Sequence, residues 1–286
     1  MKTRKSIIIL IAFAILIIVG ALITLNKTEV KTEMMTQYKE LGINDISQEK
    51  WEQLAKKNIF FSHMSVGNNI MDGVEDILKQ KPNLPLKTCR IENPETISNQ
   101  GFCDSMLGSN ANPLEKIASF QSQMQQLETP PDIAFLKFCY VDFYVSTDAQ
   151  KVFNAYQKMV RELQTDFPDT IFMHCTVPLT SEPKALKRKI KETIKSFLGK
   201  TTTIDHNKKR LEFGDMLKKT YAAETIIDIT LYESTTPEGN YSFKSKNGLH
   251  VPFMVKAYTY DGGHLNEAGR ERVAEQVLIQ LANVID

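Results

Sequence analysis

Short apolar segments alternate with helical patterns along this chain from residue 58 onward, and this order constrains the fold more than any other feature. Five segments predict buried strands, at residues 58–61, 86–91, 133–139, 170–177 and 225–229. Between several of them, apolar residues recur at helical spacing. Strands that alternate with helices imply a mostly parallel sheet covered on both faces. We therefore predict an α/β fold, a three-layer α/β/α sandwich around a flavodoxin-like sheet of about five strands.

The amino terminus differs from the rest of the chain. A basic start, residues 1–5, precedes a run of apolar residues from Ile7 to Leu25 that is long enough to span a bilayer. The basic flank predicts that the start of the chain stays in the cytoplasm. We expect residues 1–25 to form a single-pass transmembrane anchor in the cell membrane, with the remainder outside the cytoplasm. A cleaved signal peptide, followed by secretion, is the alternative.

The composition fits one α/β domain with this amino-terminal appendage. The chain has 286 residues, of which 42% are hydrophobic, enough for a large core. Its net charge of +1 shows no bias toward a nucleic-acid partner. We expect residues 26–55 to form a membrane-proximal linker and a leading helix, and residues 56–286 to form the folded domain.

The predicted domain contains four cysteines, at positions 89, 103, 139 and 175. A compartment outside the cytoplasm permits disulfides, and the three possible full pairings stay open. No two of these cysteines have the spacing of a metal site, so we expect neither a metal nor a cofactor.

Two other segments have distinctive patterns. Residues 184–200 contain seven basic residues and one acidic residue, Glu192. We expect a solvated helix there, and contact with an anionic polymer is the alternative. Its inward face would consist of the residues that share one side of the helix, Leu186, Ile190, Ile194 and Phe197. Residues 234–260 combine turn dipeptides with alternating aromatic residues and predict an insertion containing a hairpin.

Asp261 and His264 lie in a glycine-rich turn just before the last predicted helix, which Asn266 is expected to cap. A carboxylate three residues before a histidine can accept the Nδ1 proton of the imidazole. The Nε2 atom is then free to face a nucleophile. This pattern indicates an oriented general base.

Ser65 is the candidate nucleophile, because it lies between the first predicted strand and the first predicted helix. Ligands of parallel α/β sheets bind beyond the carboxyl ends of the strands, and a helix amino terminus there stabilises negative charge. The alternative is that Ser65 is a plain helix cap, with Ser62 as a rival for that role and His63 packing nearby.

These residues resemble the SGNH (GDSL-type) hydrolases, a family of α/β/α sandwiches with a Ser–His–Asp triad. The resemblance spans roughly residues 58–285. The family's last block, Asp-x-x-His, is matched in full by Asp261 and His264. Its first block, Gly-Asp-Ser, aligns with His63-Met64-Ser65, where only the serine is kept.

The two middle blocks of the family match less closely. Asn99-Gln100-Gly101 fits the Asn-x-Gly block, whose glycine N–H helps to form the oxyanion hole. The third block, Gly-x-Asn-Asp, aligns with residues 139–142, where Val141 replaces the usual oxyanion asparagine. Losing one such donor typically costs about 100- to 1,000-fold in rate. The resemblance therefore implies a weakened but not abolished oxyanion site.

The resemblance implies that Ser65, His264 and Asp261 form the catalytic triad. It also implies an oxyanion or substrate-binding group, consisting of Gly101, Asn99, Asn68, Tyr140 and Asp142. The implied activity is that of a serine esterase outside the cytoplasm, acting on O-acyl or O-acetyl esters of a small molecule or of cell-envelope or extracellular glycans. Two alternatives stay open, a polysaccharide O-acyltransferase and a non-catalytic glycan-binding or envelope-assembly protein on a degenerate scaffold.

Overall fold

The computed structural model of the protein describes residues 31–34, 41–92 and 101–285. The strands in these ranges are β1 (Lys31–Met34), β2 (Asn58–His63), β3 (Thr88–Arg90), β4 (Gly101–Met106), β5 (Ile133–Leu136), β6 (Ile171–Phe172), β7 (His174–Cys175), β8 (Ile226–Ile227), β9 (Asn240–Lys246) and β10 (Leu249–Pro252). The helices are α1 (Gln48–Leu54), α2 (Val66–Gln80), α3 (Pro113–Gln126), α4 (Ala149–Asp166), α5 (Leu186–Phe197), α6 (Thr203–Thr220), α7 (Ile229–Ser234) and α8 (Glu267–Asn283).

Five parallel strands form the central sheet, in the order β3-β4-β2-β5-β6. Side chains of β2 alternate between the two faces, as the pleat of a strand requires. Ile59 and Phe61 pack into the core cluster that contains α2 and α8. Phe60 packs into the cluster that contains α3, α4 and α6. The sheet is therefore covered by helices on both faces, and the predicted α/β class is confirmed.

The membership of the sheet differs from the sequence prediction. Strand β4 was not predicted, and it lies between β3 and β2. Its pattern was obscured by Asp104 and Ser105, which are polar yet buried. The predicted fourth strand is interrupted at Met173, whose N–H donates to Ala134. Beyond this interruption, β7 pairs in parallel with β8, so the predicted fifth strand joins a separate two-stranded ladder.

The predicted insertion forms the hairpin β9–β10, which is antiparallel. Its turn contains Asn247 and Gly248, with φ angles of 52° and 79°. Such an Asn-Gly pair favours the tight turns of hairpins. Strand β1 pairs with the other edge of β9, although its residues were expected to lie in a linker. The expected leading helix is α1, which buries Trp51 and Leu54 in the core.

The expected transmembrane anchor, residues 1–25, lies outside the described residues. In the part of the chain that the structure describes, no helix combines the length and hydropathy needed to cross a bilayer. Cys89 and Cys103 form a disulfide between β3 and β4, where the two residues are register partners. Cys139 and Cys175 are buried as free thiols.

Helix α5 contradicts one expectation. It has no buried residue, and the apolar residues expected to face inward are instead exposed or half-exposed. Leu186 and Phe197 are 73% and 65% exposed to solvent. The apolar pattern correctly indicated an amphipathic helix, but the apolar face does not pack on the domain.

Candidate active site

Ser65 lies beyond the carboxyl end of β2, immediately before α2. Its backbone has φ 27° and ψ −81°, a conformation that L-residues rarely adopt. Ser65 occupies the N-cap position of α2, but its side chain makes no capping hydrogen bond. The Ser65 hydroxyl therefore does not cap the N–H groups of α2. Strained residues of this kind cost about 1–3 kcal/mol and cluster at functional sites.

The side chains of Ser62 and His63, which precede Ser65 in this segment, lie in the core rather than at this site. Ser62 is fully buried, and its Oγ donates to Gln123 Oε1 at 2.5 Å. His63 is also fully buried, and its Nε2 lies 2.9 Å from Asp104 Oδ2. Both side chains are committed to the core, which leaves Ser65 as the accessible hydroxyl of this turn.

Asp261 and His264 form the hydrogen-bonded pair that the sequence predicts, with Nδ1 2.7 Å from Oδ2. The other carboxylate oxygen, Oδ1, accepts from the N–H groups of Gly263 and His264 at 2.9 and 2.8 Å. Partial burial alone would raise the pKa of Asp261, but the His264 side chain and these two N–H donors lower it to about 2. The aspartate is thus a fixed anion that orients the imidazole.

The turn around this pair depends on its glycines and on its helix cap. Gly262 has φ 102°, which a residue with a side chain would adopt only under strain. A side chain on Gly263 would come within 2.6 Å of the Tyr140 ring. The predicted cap of α8 is confirmed, because Asn266 Oδ1 accepts from the N–H of Gly269.

Two bridges join the Ser65 turn to the His264 turn. Asn69, one helical turn after Ser65, accepts a hydrogen bond from the N–H of Leu265 at 3.2 Å. Tyr140 packs against His264 edge to face, with ring centroids 5.7 Å apart. The residue before Tyr140 is Cys139, whose Sγ lies 3.6 Å from Ser65 Oγ. Among the described residues, Ser65 Oγ thus contacts Cys139 rather than the imidazole of His264.

Asp142 does not face substrate, so this expectation is corrected. Its Oδ2 accepts from the N–H of Cys139 at 2.6 Å and from Lys116 Nζ at 2.7 Å, and its Oδ1 accepts from the N–H of Ala111 at 2.8 Å. Asp142 and Lys116 are both buried. The carboxylate therefore holds the turn that carries Cys139 and Tyr140 against the loop after β4.

Gly101 is also misplaced by the sequence prediction. It begins β4 and pairs in register with Asn58, at the amino end of the sheet and therefore at the opposite edge from Ser65. Its N–H donates to the carbonyl of Lys57. Gly101 therefore cannot hold an oxyanion beside Ser65. Asn99 lies outside the described residues. Asn68 is at the correct edge, where its Oδ1 accepts from Arg90.

The glycine at the carboxyl end of β4 is Gly108. It was not a predicted site residue, because strand β4 was not predicted. The preceding residue, Leu107, donates its N–H to the carbonyl of His63, two residues before Ser65. Gly108 has φ 46° and is only partly buried. The available signal was a glycine that directly follows a short segment, residues 101–107, in which Phe102, Cys103, Met106 and Leu107 are apolar.

A cleft of about 490 Å³ opens beside Asp261 and Gly262, in the turn that carries His264. Its lining includes Tyr140, Tyr260, Asp261 and Arg210. Burial, reinforced by the negative charge of Asp261, raises the pKa of Tyr140 to about 12, so its hydroxyl is neutral. A second cleft, of about 630 Å³, lies against α1 and is lined by Lys57, at the other end of the sheet.

Arg210 also lines this cleft. The sequence did not predict a role for this residue. It is almost fully buried in α6 and donates from Nε to the carbonyl of Tyr140 at 3.0 Å. Its Nη1 donates to Thr180 Oγ1 at 2.8 Å and to Asn207 Oδ1 at 2.5 Å. Arg210 thus links three segments that surround the cleft. No group of three or more potential metal-ligating side chains occurs within the described ranges.

Comparisons with known proteins give weak likenesses only. No protein-family model matches the chain, and no curated protein matches it. Among solved structures, the chain is similar to a protein from Streptococcus pneumonia whose description names platelet activating factor, at 14% identity and a TM-score of 0.46, covering 82% of this chain and 90% of that one.

Two acyltransferase structures show similar likenesses. The salicylyl-acyltransferase SsfX3 of a tetracycline biosynthetic pathway is 12% identical with a TM-score of 0.39, covering 79% of this chain. The alignment spans only 54% of the length of SsfX3. The periplasmic domain of a lipopolysaccharide acetyltransferase from Salmonella ser. Paratyphi A is 13% identical with a TM-score of 0.40, covering 80% of this chain and 87% of that one.

Proposed function

We propose that this protein is a serine esterase of the SGNH type that hydrolyses O-acyl esters. One observation carries the proposal: Ser65 is held in a strained turn at a helix amino terminus, with an uncapped hydroxyl, beside a turn that presents an oriented His264–Asp261 pair. A helix cap needs no strained backbone. A nucleophilic serine benefits from a strained backbone, because the strained turn exposes its hydroxyl at the edge of the sheet.

We propose the following roles for these residues. Ser65 Oγ attacks the ester carbonyl carbon while His264 Nε2 takes its proton, and the imidazolium then protonates the departing alcohol. Water resolves the acyl-enzyme by the same route in reverse, with His264 again as the base. Asp261, whose carboxylate is held by His264 Nδ1 and two N–H groups, fixes the tautomer.

The oxyanion site is assigned to groups at the edge where Ser65 lies. The N–H of Ser65 lies at the amino terminus of α2, where the helix dipole stabilises a negative charge. Gly108 takes the place that the resemblance gave to Gly101, because Gly108 follows β4 at that edge. Asn68 offers a side-chain amide one turn along α2. These donors would offset the absence of an asparagine at Val141.

The substrate class is proposed from the cleft and from the compartment. Tyrosine rings at residues 140, 144 and 260 line the cleft and give apolar faces with polar tips, which suit a sugar ring. The Cys89–Cys103 disulfide supports a location outside the cytoplasm, where disulfides persist. We therefore propose O-acylated glycans of the cell envelope or extracellular space as substrates, reached by a protein anchored through residues 1–25.

A fluorophosphonate probe tests the nucleophile directly. We expect the folded protein to be labelled on Ser65, located by peptide mass spectrometry, and the Ser65→Ala variant to be unlabelled. Cys139→Ala is the matched control, since its thiol contacts the same hydroxyl; this variant should keep its labelling. Labelling that persists in Ser65→Ala, or none in the folded protein, would overturn the proposal.

A non-catalytic glycan-binding protein is the second candidate. The contact of Ser65 Oγ with Cys139 Sγ favours it, as does Val141 at the position of an oxyanion donor. It predicts binding of acylated glycans without labelling and without acyl release. An O-acyltransferase would instead be labelled and would move the acyl group to an added sugar hydroxyl faster than to water.

A further inference from the structure

Helix α5 exposes an apolar stripe that nothing in the described structure covers. The stripe consists of the residues on one side of the helix and just after its end, Leu186, Ile190, Ile194, Phe197 and Leu198. None of them is buried, and Phe197 and Leu198 retain 65% and 58% of their exposure. Contiguous exposed apolar side chains of this kind mark interaction sites in soluble domains.

The helix is fixed with this stripe outward. Glu192 lies on the opposite side of α5 from the stripe, because residues of an α-helix advance by about 100° each. Its Oε2 accepts from the N–H of Thr203 at 2.8 Å and from Thr203 Oγ1 at 3.1 Å, which ties α5 to the start of α6. The side of α5 that carries Glu192 therefore faces the start of α6, whereas the apolar stripe faces solvent, the reverse of an ordinary surface helix.

The charge of α5 indicates the kind of surface that the apolar stripe would bind. Five basic residues accompany the single acid Glu192 within α5, at positions 187, 188, 189, 191 and 195. The chain as a whole carries only +1, so this positive charge is local. Lys187 and Lys191 border the apolar stripe on one side, and Lys189 borders it on the other. A basic amphipathic helix with an apolar face suits an anionic lipid surface.

We propose that α5 docks on the surface of an anionic phospholipid membrane, with the apolar stripe inserted at the level of the headgroups and the flanking lysines on the phosphates. Lys184, Ala185 and Arg188, near the start of α5, line the cleft beside Asp261. The docking helix and the cleft therefore share this segment of the chain. The docking of α5 does not depend on catalysis by Ser65.

The test places an environment-sensitive fluorophore on the stripe of the full chain. Phe197→Cys offers an exposed thiol, whereas Cys139 and Cys175 are buried and Cys89–Cys103 is a disulfide. The labelled chain is reconstituted in vesicles of phosphatidylcholine alone or of phosphatidylcholine with phosphatidylglycerol. Any anchoring by residues 1–25 is then the same in the two kinds of vesicle, so a difference between them does not come from the anchor. We expect a blue shift and higher intensity in the anionic vesicles only.

Two control variants test whether the shift comes from docking of α5, and two further measurements are made without vesicles. The same label at Lys79→Cys, an exposed position on α2 across the sheet, should report no shift. Adding Lys187→Glu and Lys191→Glu to the labelled chain should abolish the shift without changing its circular dichroism. Equal emission in both vesicles would overturn the proposal. So would a shift produced without vesicles, either by a soluble polyanion or by raising the protein concentration.

Discussion

The described residues contain two histidine–aspartate pairs with similar geometry and opposite surroundings. His63 Nε2 lies 2.9 Å from Asp104, and His264 Nδ1 lies 2.7 Å from Asp261. The first pair is buried, with side-chain exposures of 0% and 4%, while the second keeps 29% and 42%. One pair therefore belongs to the core, and the other lies at the edge of a cleft.

The difference shows that a histidine beside a carboxylate is not by itself a catalytic signature. His63 uses Nε2 for Asp104, which also accepts from Arg90 Nε at 2.6 Å, and its Nδ1 is buried without a partner. No substrate can reach it. His264 uses Nδ1 for Asp261, which leaves Nε2 for chemistry in a partly exposed ring. Accessibility and the choice of ring nitrogen separate the two roles.

The sharpest contrast is expected from alanine at each histidine. His264→Ala should lower the kcat/KM for a small ester by at least about 1,000-fold, because the base is lost. Its free energy of unfolding should fall by only about 0.5–1.5 kcal/mol, the usual net contribution of one hydrogen bond. His63→Ala should instead lower stability, with an activity loss that follows the folded fraction. Initial rates and urea denaturation on both variants measure this. The reverse pattern would interchange the two roles.

Substitutions of the two aspartates should also affect the two pairs differently. Asp104→Ala leaves His63 without its partner and Arg90 without its carboxylate, which should destabilise the protein by about 3 kcal/mol. Asp261→Asn should fold normally and lose activity by orders of magnitude through the wrong imidazole tautomer. Denaturation midpoints and kcat provide the comparison. An Asp104→Ala protein as stable as the wild type would show that the buried pair does not hold β2 and β4 together.

The sequence was informative where the chemistry is local. Asp261 and His264 are three residues apart, so one turn decides their contact, and Asn266 caps the next helix for the same reason. The strand–helix alternation predicted the class of the sheet and the position of Ser65. Each of these depends on neighbours along the chain.

The sequence failed where distant residues decide. Strand β4 was not predicted because it contains the polar residue Asp104. The carboxylate of Asp104 can be buried there only because it pairs with His63 and Arg90, which are distant in sequence. That error moved the predicted oxyanion glycine to Gly101 at the wrong end of the sheet. In the same way, nothing near Asp142 in sequence indicates its buried partner Lys116. Periodicity also identified the apolar side of α5 but not the direction that it faces.

Two glycines sharpen the comparison on a smaller scale. A Cβ at Gly67 would lie 2.1 Å from the buried His63 ring, so Gly67→Ala should destabilise the fold by about 1–3 kcal/mol through overpacking. A Cβ at Gly263 would instead displace the half-buried Tyr140, so Gly263→Ala should mainly reduce activity. Gly42→Ala is the matched control, because the nearest atom to its Cβ is 3.8 Å away. Equal stability of Gly67→Ala and Gly42→Ala would contradict the tight packing of His63.

The smallest expected effect is a pH dependence of stability from the buried pair. Burial lowers the pKa of His63 from 6.5, which Lys137 and Arg90 reinforce and Asp104 opposes. Folded His63 therefore stays neutral at a pH where the unfolded chain binds a proton. Its contribution is complete above pH 6.5 and is lost as the pH falls toward the lower folded pKa, by at most about 1.4 kcal/mol per pH unit.

Comparison of the wild type with His63→Gln isolates this contribution. Glutamine can still donate a hydrogen bond to Asp104 but does not titrate. Urea denaturation at several pH values below 6.5 should give a smaller loss of stability per pH unit in the variant. Some dependence should remain, because burial also lowers the pKa of His174, to about 3, and that of His206. If both proteins lose stability at the same rate, His63 is charged in the folded state. The buried pair would then be a true ion pair, so the contrast with the exposed pair would rest on access to solvent alone.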